Sequence, residues 1–154
     1  MDIVPFQDAY AYAFYRMNRD WITENFVMEP LDEKVLGSPR EYIVDTGGEI
    51  WFAVHEGLPI GCYALLHHDD GRVEFTKYAV DVPARGLGAG KKLLDHAIAR
   101  AKEIGAPELI LYTNTAQARA CEMYYKYGFV KTEMSAKDKT RYARANLFMV
   151  MPLS

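Results

Sequence analysis

Val80-Asp81-Val82-Pro83-Ala84-Arg85-Gly86-Leu87-Gly88-Ala89-Gly90-Lys91-Lys92-Leu93-Leu94 runs from the end of an extended apolar segment, through three glycines, into a helix. Upstream, Val73 to Val82 reads as a strand, and Pro83 ends it because proline has no N–H to give a ladder. Downstream, Leu93, Leu94, Ala97, Ile98, Ala101 and Ile104 recur at helical spacing, with Gly105 at the C′ position and Pro107 beyond it. Glycine lets the backbone approach a ligand with its N–H groups unscreened. The start of a helix adds unpaired donors and the positive end of a dipole. With Arg85 and Lys91 beside them, these features point to a phosphate or pyrophosphate site.

Two better-known phosphate loops are excluded. A dinucleotide fingerprint would need a third glycine where Lys91 stands. A P-loop would need Ser or Thr where Lys92 stands, and a glycine where Arg85 stands.

Outward from this turn, residues 1–5 read as a short strand ended by Pro5. A helix follows through Phe6, Tyr10, Phe14 and Met17, broken at Asn18-Arg19-Asp20 and resumed from Trp21 to Phe26. Asp32 to Ile43 is a mixed segment. Glu49–His55, Ile60–Leu66 and Val73–Val82 form an antiparallel meander. After the glycine-led helix come a buried strand over Glu108–Thr113, a helix over Gln117–Lys126 closed by Gly128, and two late strands, 129–134 and 145–151. The order is that of one α/β domain spanning 1–154, without repeats. Its strand–helix–strand steps call for right-handed crossovers between neighbouring parallel strands.

Composition narrows the function. The 154 residues carry 18 Lys+Arg against 21 Asp+Glu, which argues against a nucleic-acid partner, since phosphate neutralisation wants a cationic excess. No apolar run is long enough for a membrane span. The N-terminus lacks the basic start and apolar run of a signal peptide, so the expected location is the cytoplasm. Cys62 and Cys121 read as reduced intracellular thiols.

Arg85-Gly86-Leu87-Gly88-Ala89-Gly90 matches the R-x-x-G-x-G signature of the Gcn5-related N-acetyltransferases (GNAT), and the resemblance extends beyond it. Val73–Val80 is similar to that family's central fourth strand, and Tyr124-Tyr125-Lys126-Tyr127-Gly128-Phe129 to its Y-x-x-x-G-F segment. The likeness covers roughly residues 48 to 131 well and the N-terminal helices more loosely. It implies a mixed, largely antiparallel sheet of six or seven strands between about four helices, in three α/β/α layers. It further implies acetyl-CoA as co-substrate, no metal, and acetyl transfer to an amine inside a ternary complex.

That chemistry needs a base for the ammonium, a donor for the thioester oxygen, and an acid for the departing sulfur. By resemblance, Glu74 is the base, although a solvated strand face carrying Glu74, Thr76 and Tyr78 would look the same. Backbone N–H groups near Val80 and Val82 take the carbonyl and the pantetheine arm. Arg85, Gly86, Leu87, Gly88, Ala89, Gly90 and Lys91 hold the pyrophosphate. Tyr124 is the acid, with packing of its aromatic cluster as the plain alternative. Where relatives often have Asn to hold the pantetheine stands Gln117, while Asn114 sits at the strand end, and either amide can serve. The acceptor enters between the N-terminal helices and the loop before the last strand. That places Asn18, Arg19, Trp21 and Phe26 on one side and Ser135–Tyr142 on the other, with Arg19, Arg141 or Arg144 as carboxylate clamps, although Trp21 fits a core anchor better. A small primary amine is the expected acceptor. A non-catalytic acyl-CoA-binding module and a protein or peptide acetyltransferase are the rivals. His67-His68-Asp69-Asp70 reads as a solvated turn rather than a metal site, and Lys137-Asp138-Lys139 as a solvated loop. The apolar strand Leu147–Met151 can pair across a homodimer or lie inside the sheet.

Overall fold

The computed structural model describes residues 1–141 and 144–153, the side chains of residues 140 and 141 excepted. Seven strands form one sheet: β1 (Asp2–Pro5), β2 (Glu49–His55), β3 (Leu58–His67), β4 (Val73–Val80), β5 (Glu108–Thr113), β6 (Val130–Thr132) and β7 (Leu147–Pro152). Their spatial order is β1-β2-β3-β4-β5-β7-β6. Every pairing is antiparallel except β4 with β5. The helices are α1 (Ala11–Asn25), α2 (Pro30–Gly37), α3 (Ala89–Ile104), α4 (Ala118–Tyr127) and α5 (Ala136–Arg141).

The sheet separates two cores. On one face Tyr63, Leu65, Phe75, Leu109 and Leu111 meet Leu93, Leu94 and Ala97 of α3 and Tyr124 of α4. On the other, Phe52, Cys62, Ala64 and Ala79 meet Phe14, Met17 and Ile22 of α1 and Leu36 of α2. The three layers agree with the expected architecture.

Four expectations are corrected. The first helix is not broken at Asn18: that residue is 3% exposed, and its amide donates to Phe14 O at 2.9 Å and contacts Cys62 Sγ at 3.5 Å. A polar side chain satisfied inside the core leaves the helical period intact. The second helix lies later, over 30–37, where Pro30 suits a first turn and Glu29 and Asp32 form a reciprocal capping box. The segment around Lys137 is α5 rather than a loop. Finally, β7 inserts between β5 and β6, so the strand pair flanking α4 is not adjacent. β7 pairs β5 from Leu147 to Pro152 and β6 at Phe148, Met149 and Val150, so it lies inside the sheet.

Candidate active site

The glycine turn adopts the conformation its composition demands. Gly86 and Gly88 have φ of 102° and 82°, a left-handed backbone that costs a residue with a Cβ about 1–2 kcal/mol. Among the described residues, no hydrogen bond of the turn uses the N–H of either glycine. The first helical bond is Lys92 N–H to Gly88 O at 3.1 Å, so the N–H groups of Ala89, Gly90 and Lys91 are those a helix start leaves unpaired. Gly90 has a different reason to be glycine. Tyr78 Oη donates to its carbonyl at 2.7 Å, and a Cβ there would stand 2.7 Å from that hydroxyl.

Helix α1 braces this turn from the other face. Arg16 donates to both Asp81 oxygens at 3.1 Å. Arg85 donates to Glu24 at 2.7 Å and to Val80 O at 3.3 Å, so its guanidinium ties the turn down. Lys91 is exposed beside Asp95, 3.3 Å away, and the Tyr127 ring. Leu87 is exposed at the tip, while Ala89 is buried under the turn.

Strand β4 carries two irregularities. Against β3 the register slips between Cys62 and Ala64, opposite Ala79 and Thr76, so β4 holds one extra residue there. Lys77, with φ of 54°, is in that bulge. The bulge breaks strict alternation: Tyr78 packs on Phe75 toward α3 and does not share the face of Glu74. Against β5 the ladder holds only Val73↔Leu109 and Glu74↔Ile110. Beyond Glu74 the two strands diverge, opening a cleft whose apex is Glu74. Asp81 N–H bonds Ile60 O on β3 at 2.8 Å. Successive N–H groups point to opposite strand edges, so that of Val80 points into the cleft. Val82 is not in the strand; it opens a 3₁₀ turn, Val82–Ala84, and is exposed.

Glu74 is 2% exposed, and its Oε1 lies 2.9 Å from His68 Nε2. His68, with 18% of its side chain exposed, was read from sequence as part of a solvated turn. Counting back along the hairpin finds it: Leu66 pairs Glu74 and His67 pairs Val73, so His68 lies diagonally across from Glu74. A second charged group, built on Arg144, surrounds the bulge. Arg144 bonds both Asp32 oxygens, one at 3.3 Å, and Val27 O at 3.4 Å. It also lies 3.5 Å from Glu29 and over the Phe26 ring. Partial burial pushes Asp32 up, but bonds from Arg144 and the Glu29 N–H outweigh it and leave the carboxyl below its ordinary range. Burial pulls the Lys77 ammonium below the usual lysine range, with Glu74 and Asp32 pushing back.

On the opposite face, Tyr124 is buried between Phe75 and Phe129. Burial holds its phenol well above the usual tyrosine range, so it keeps its proton. The two candidate amides part company. Asn114 is spent: Nδ2 donates to Arg144 O at 2.9 Å and Oδ1 accepts from Ala116 N–H at 2.8 Å. Gln117 Nε2 is buried with no partner among the described residues, an orphan donor such as a ligand amide satisfies.

The expected acceptor residues are dispersed. Asn18 is core, and Trp21 packs against the same core. Arg19 is half-exposed, bonded to Asp20 and lying over Tyr15. Arg144 is consumed by Asp32. Tyr142 lies outside the described residues, as does the side chain of Arg141. Among the described residues no three His, Cys, Asp or Glu side chains converge as a metal site, and no helix is long and apolar enough to cross a membrane.

Known proteins share this frame. A GNAT acetyltransferase from Staphylococcus aureus superposes with a TM-score of 0.88 at 22% identity, covering 99% of both chains. A Salmonella typhimurium structure containing acetyl-CoA gives 0.72 at 17% identity, over 100% of this chain and 94% of the other. Among curated proteins, rat N-acetyltransferase 8 is 26% identical over 132 residues, 82% of this chain and 59% of that protein. An uncharacterised N-acetyltransferase of Mycobacterium tuberculosis is 34% identical over 89 residues, 58% of this chain and 57% of that one. The chain thus spans under two thirds of the length of these curated relatives. The family model described as acetyltransferase (GNAT) family matches residues 10–129, and with the divergent β4–β5 pair and the left-handed glycine turn it establishes that the chain belongs to the GNAT family.

Proposed function

We propose that the protein is an acetyl-CoA-dependent N-acetyltransferase that moves the acetyl group directly to a primary amine of a small molecule. The observation that carries this is the cleft between β4 and β5, opening beside a turn in which, among the described residues, the N–H groups of Gly86 and Gly88 are unspent. The residues present fit the coenzyme. Left-handed Gly86 and Gly88, with the first turn of α3, offer donors to a pyrophosphate. The Val80 N–H faces the cleft and Gln117 Nε2 lacks a partner, as a thioester carbonyl and pantetheine amides would require. Structures of relatives from Salmonella typhimurium and Elizabethkingia anophelis hold acetyl-CoA.

The bound thioester supplies the activated acetyl group; the chain supplies position and protons. Glu74, at the cleft apex, provides the basic end of the site. Val80 N–H faces the charge that develops on the carbonyl oxygen. Tyr124, kept protonated by burial, provides the acidic end for the departing sulfur. A covalent acetyl-cysteine has little support, because burial pushes the Cys62 thiol up to about 12 and raises Cys121 as well. The two free thiols suit a reducing compartment, the cytoplasm in this reading. A non-catalytic acyl-CoA-binding domain is disfavoured by Glu74, a carboxylate whose burial costs stability that such a domain would have no use for.

Calorimetry with acetyl-CoA, beside thiol release across a panel of amines, tests the proposal. Glu74→Gln should bind the coenzyme as the parent does while turnover falls about 10²-fold or more. Gly88→Val should lose the binding heat. Binding without turnover on any amine would favour the acyl-CoA-binding module.

A further inference from the structure

The gap through which the acceptor was expected to enter is closed on one side. Arg144 fastens the segment before β7 to residues 26–32 through Asp32, Val27, Glu29 and Phe26. On the other side of that segment lies a cavity of ≈ 400 Å³, bordered by His68, Arg72, Tyr112, Glu133, Lys137 and Asp138. Its volume is that of a small-molecule site. His68 borders this cavity and is held by Glu74, which is itself 2% exposed. The candidate base therefore meets the cavity through an imidazole.

Resting on the acetyltransferase reading, we propose that this cavity takes the acceptor, that the acceptor is a small zwitterion bearing an amine and a carboxylate, and that His68 receives the amine's proton while Glu74 orients it. With Nε2–H donated to Glu74, Nδ1 keeps its lone pair, the arrangement in which a carboxylate fixes a tautomer and supports the imidazolium that forms. The acceptor enters as an ammonium. One proton passes to Nδ1 and on to solvent. The freed lone pair forms the C–N bond as the C–S bond breaks; of the two protons left on nitrogen one stays on the amide and the other is lost to solvent, while the sulfur takes the Tyr124 proton, which solvent restores. One amide, one thiol and one released proton result. Glu74 is then a positioning residue and His68 the catalytic one.

The lining gives the acceptor its class. Arg72 spends Nε on Asp70 at 2.7 Å, leaving its terminal nitrogens for a carboxylate, and Lys137 from α5 adds a second cation. Glu133 supplies a negative charge near His68. Asp138 accepts from Tyr112 at 2.9 Å, and the Tyr112 ring stacks on Phe148 with centroids 4.8 Å apart, flooring the cavity. Charges of both signs in balance suit a zwitterion better than a polyamine, and a volume of this size suits it better than a peptide chain.

The test uses the full chain with saturating acetyl-CoA, and free amino acids, their decarboxylated amines and tetrapeptides as probes. Amino acids should give the highest kcat/KM. His68→Gln should retain the heat of acetyl-CoA binding while kcat/KM falls about 10²–10³-fold. The acidic limb of its pH profile should change shape, and added imidazole should restore part of the rate. Arg72→Ala should raise KM for the amino acid about tenfold and leave that for the matching amine unmoved. Preference for peptides or polyamines, or His68→Gln with the parent's rate and pH profile, overturns the inference and leaves the acetyltransferase reading standing. Absence of coenzyme heat in the parent overturns both.

Discussion

Substituting Gly90 by alanine inserts one methyl group where β4 and α3 touch. That carbon would stand 2.7 Å from Tyr78 Oη but 3.7 Å from Tyr78 Cζ and 3.7 Å from Val80 Cγ2, so the hydroxyl alone is in the way. Favourable carbon contacts lie at about 3.5–4.0 Å, so the phenol must retreat by most of an ångström and lose its 2.7 Å bond to Gly90 O. Overpacking costs about 1–3 kcal/mol, and the lost hydrogen bond about 1 more. The better helix propensity of alanine offsets at most about 1. The net loss is about 1–3 kcal/mol, or roughly 2–12 °C in Tm for a chain of this size. Removing the hydroxyl removes the clash. In a Tyr78→Phe background the same alanine should be neutral or slightly stabilising, which gives a coupling energy of about 1–3 kcal/mol. Urea unfolding of the four proteins closes the cycle. Losses that add to within about 0.5 kcal/mol would refute the steric argument.

The Asp32–Arg144 pair gives a pH signature. A depressed carboxyl stabilises the fold above its unfolded pKa of about 3.9 and loses that contribution as pH falls through its lower folded value. Asp32→Asn should thus cost stability at pH 7, and the deficit should shrink as the parent is acidified below about pH 4, read by thermal unfolding at a series of pH values. Cys62 should resist iodoacetamide at pH 8 in the folded protein and react once urea unfolds it, as mass spectrometry of the labelled peptide would show. The Cys62→Ala/Cys121→Ala pair should keep acetyl transfer. Tyr124→Phe should lower kcat about 10–100-fold at unchanged coenzyme affinity; with the phenol held above its ordinary range, the parent should show no loss of turnover from this group up to about pH 10.

What could be read in advance was local. Gly86 and Gly88 announce a left-handed turn because few other residues adopt it, and Gly105 and Gly128 close α3 and α4 with φ of 83° and 103°. The meander and α3 follow from periods of two and 3.6 residues. What escaped depends on tertiary partners. Asn18 looked like a break because nothing near it in sequence tells of Phe14 O and Cys62 Sγ waiting in the core. Arg144 and Asp32 are 112 residues apart, and no periodicity links them. Lys77 in a left-handed bulge defies its own propensity, a conformation held only where the surroundings over-determine it. His68 was legible in principle, since the hairpin register places it near Glu74, but a run of four polar residues resembles any exposed turn.

The divergence of β4 from β5 has a mechanical consequence. In the backbone ladder, two adjoining pairs, at Val73 and Glu74, join the four-stranded plank β1–β4 to the three-stranded plank β5–β7–β6, and side-chain packing under α3 supplies the rest. A ligand whose amides bridge the gap would act as a missing strand, lending cohesion that the polypeptide withholds. Saturation at a hundredfold excess over Kd would add about 2.7 kcal/mol to the folded state. The amides of β4 and β5 that border the gap should then gain more protection from deuterium exchange than those of β2, which already has neighbours on both sides.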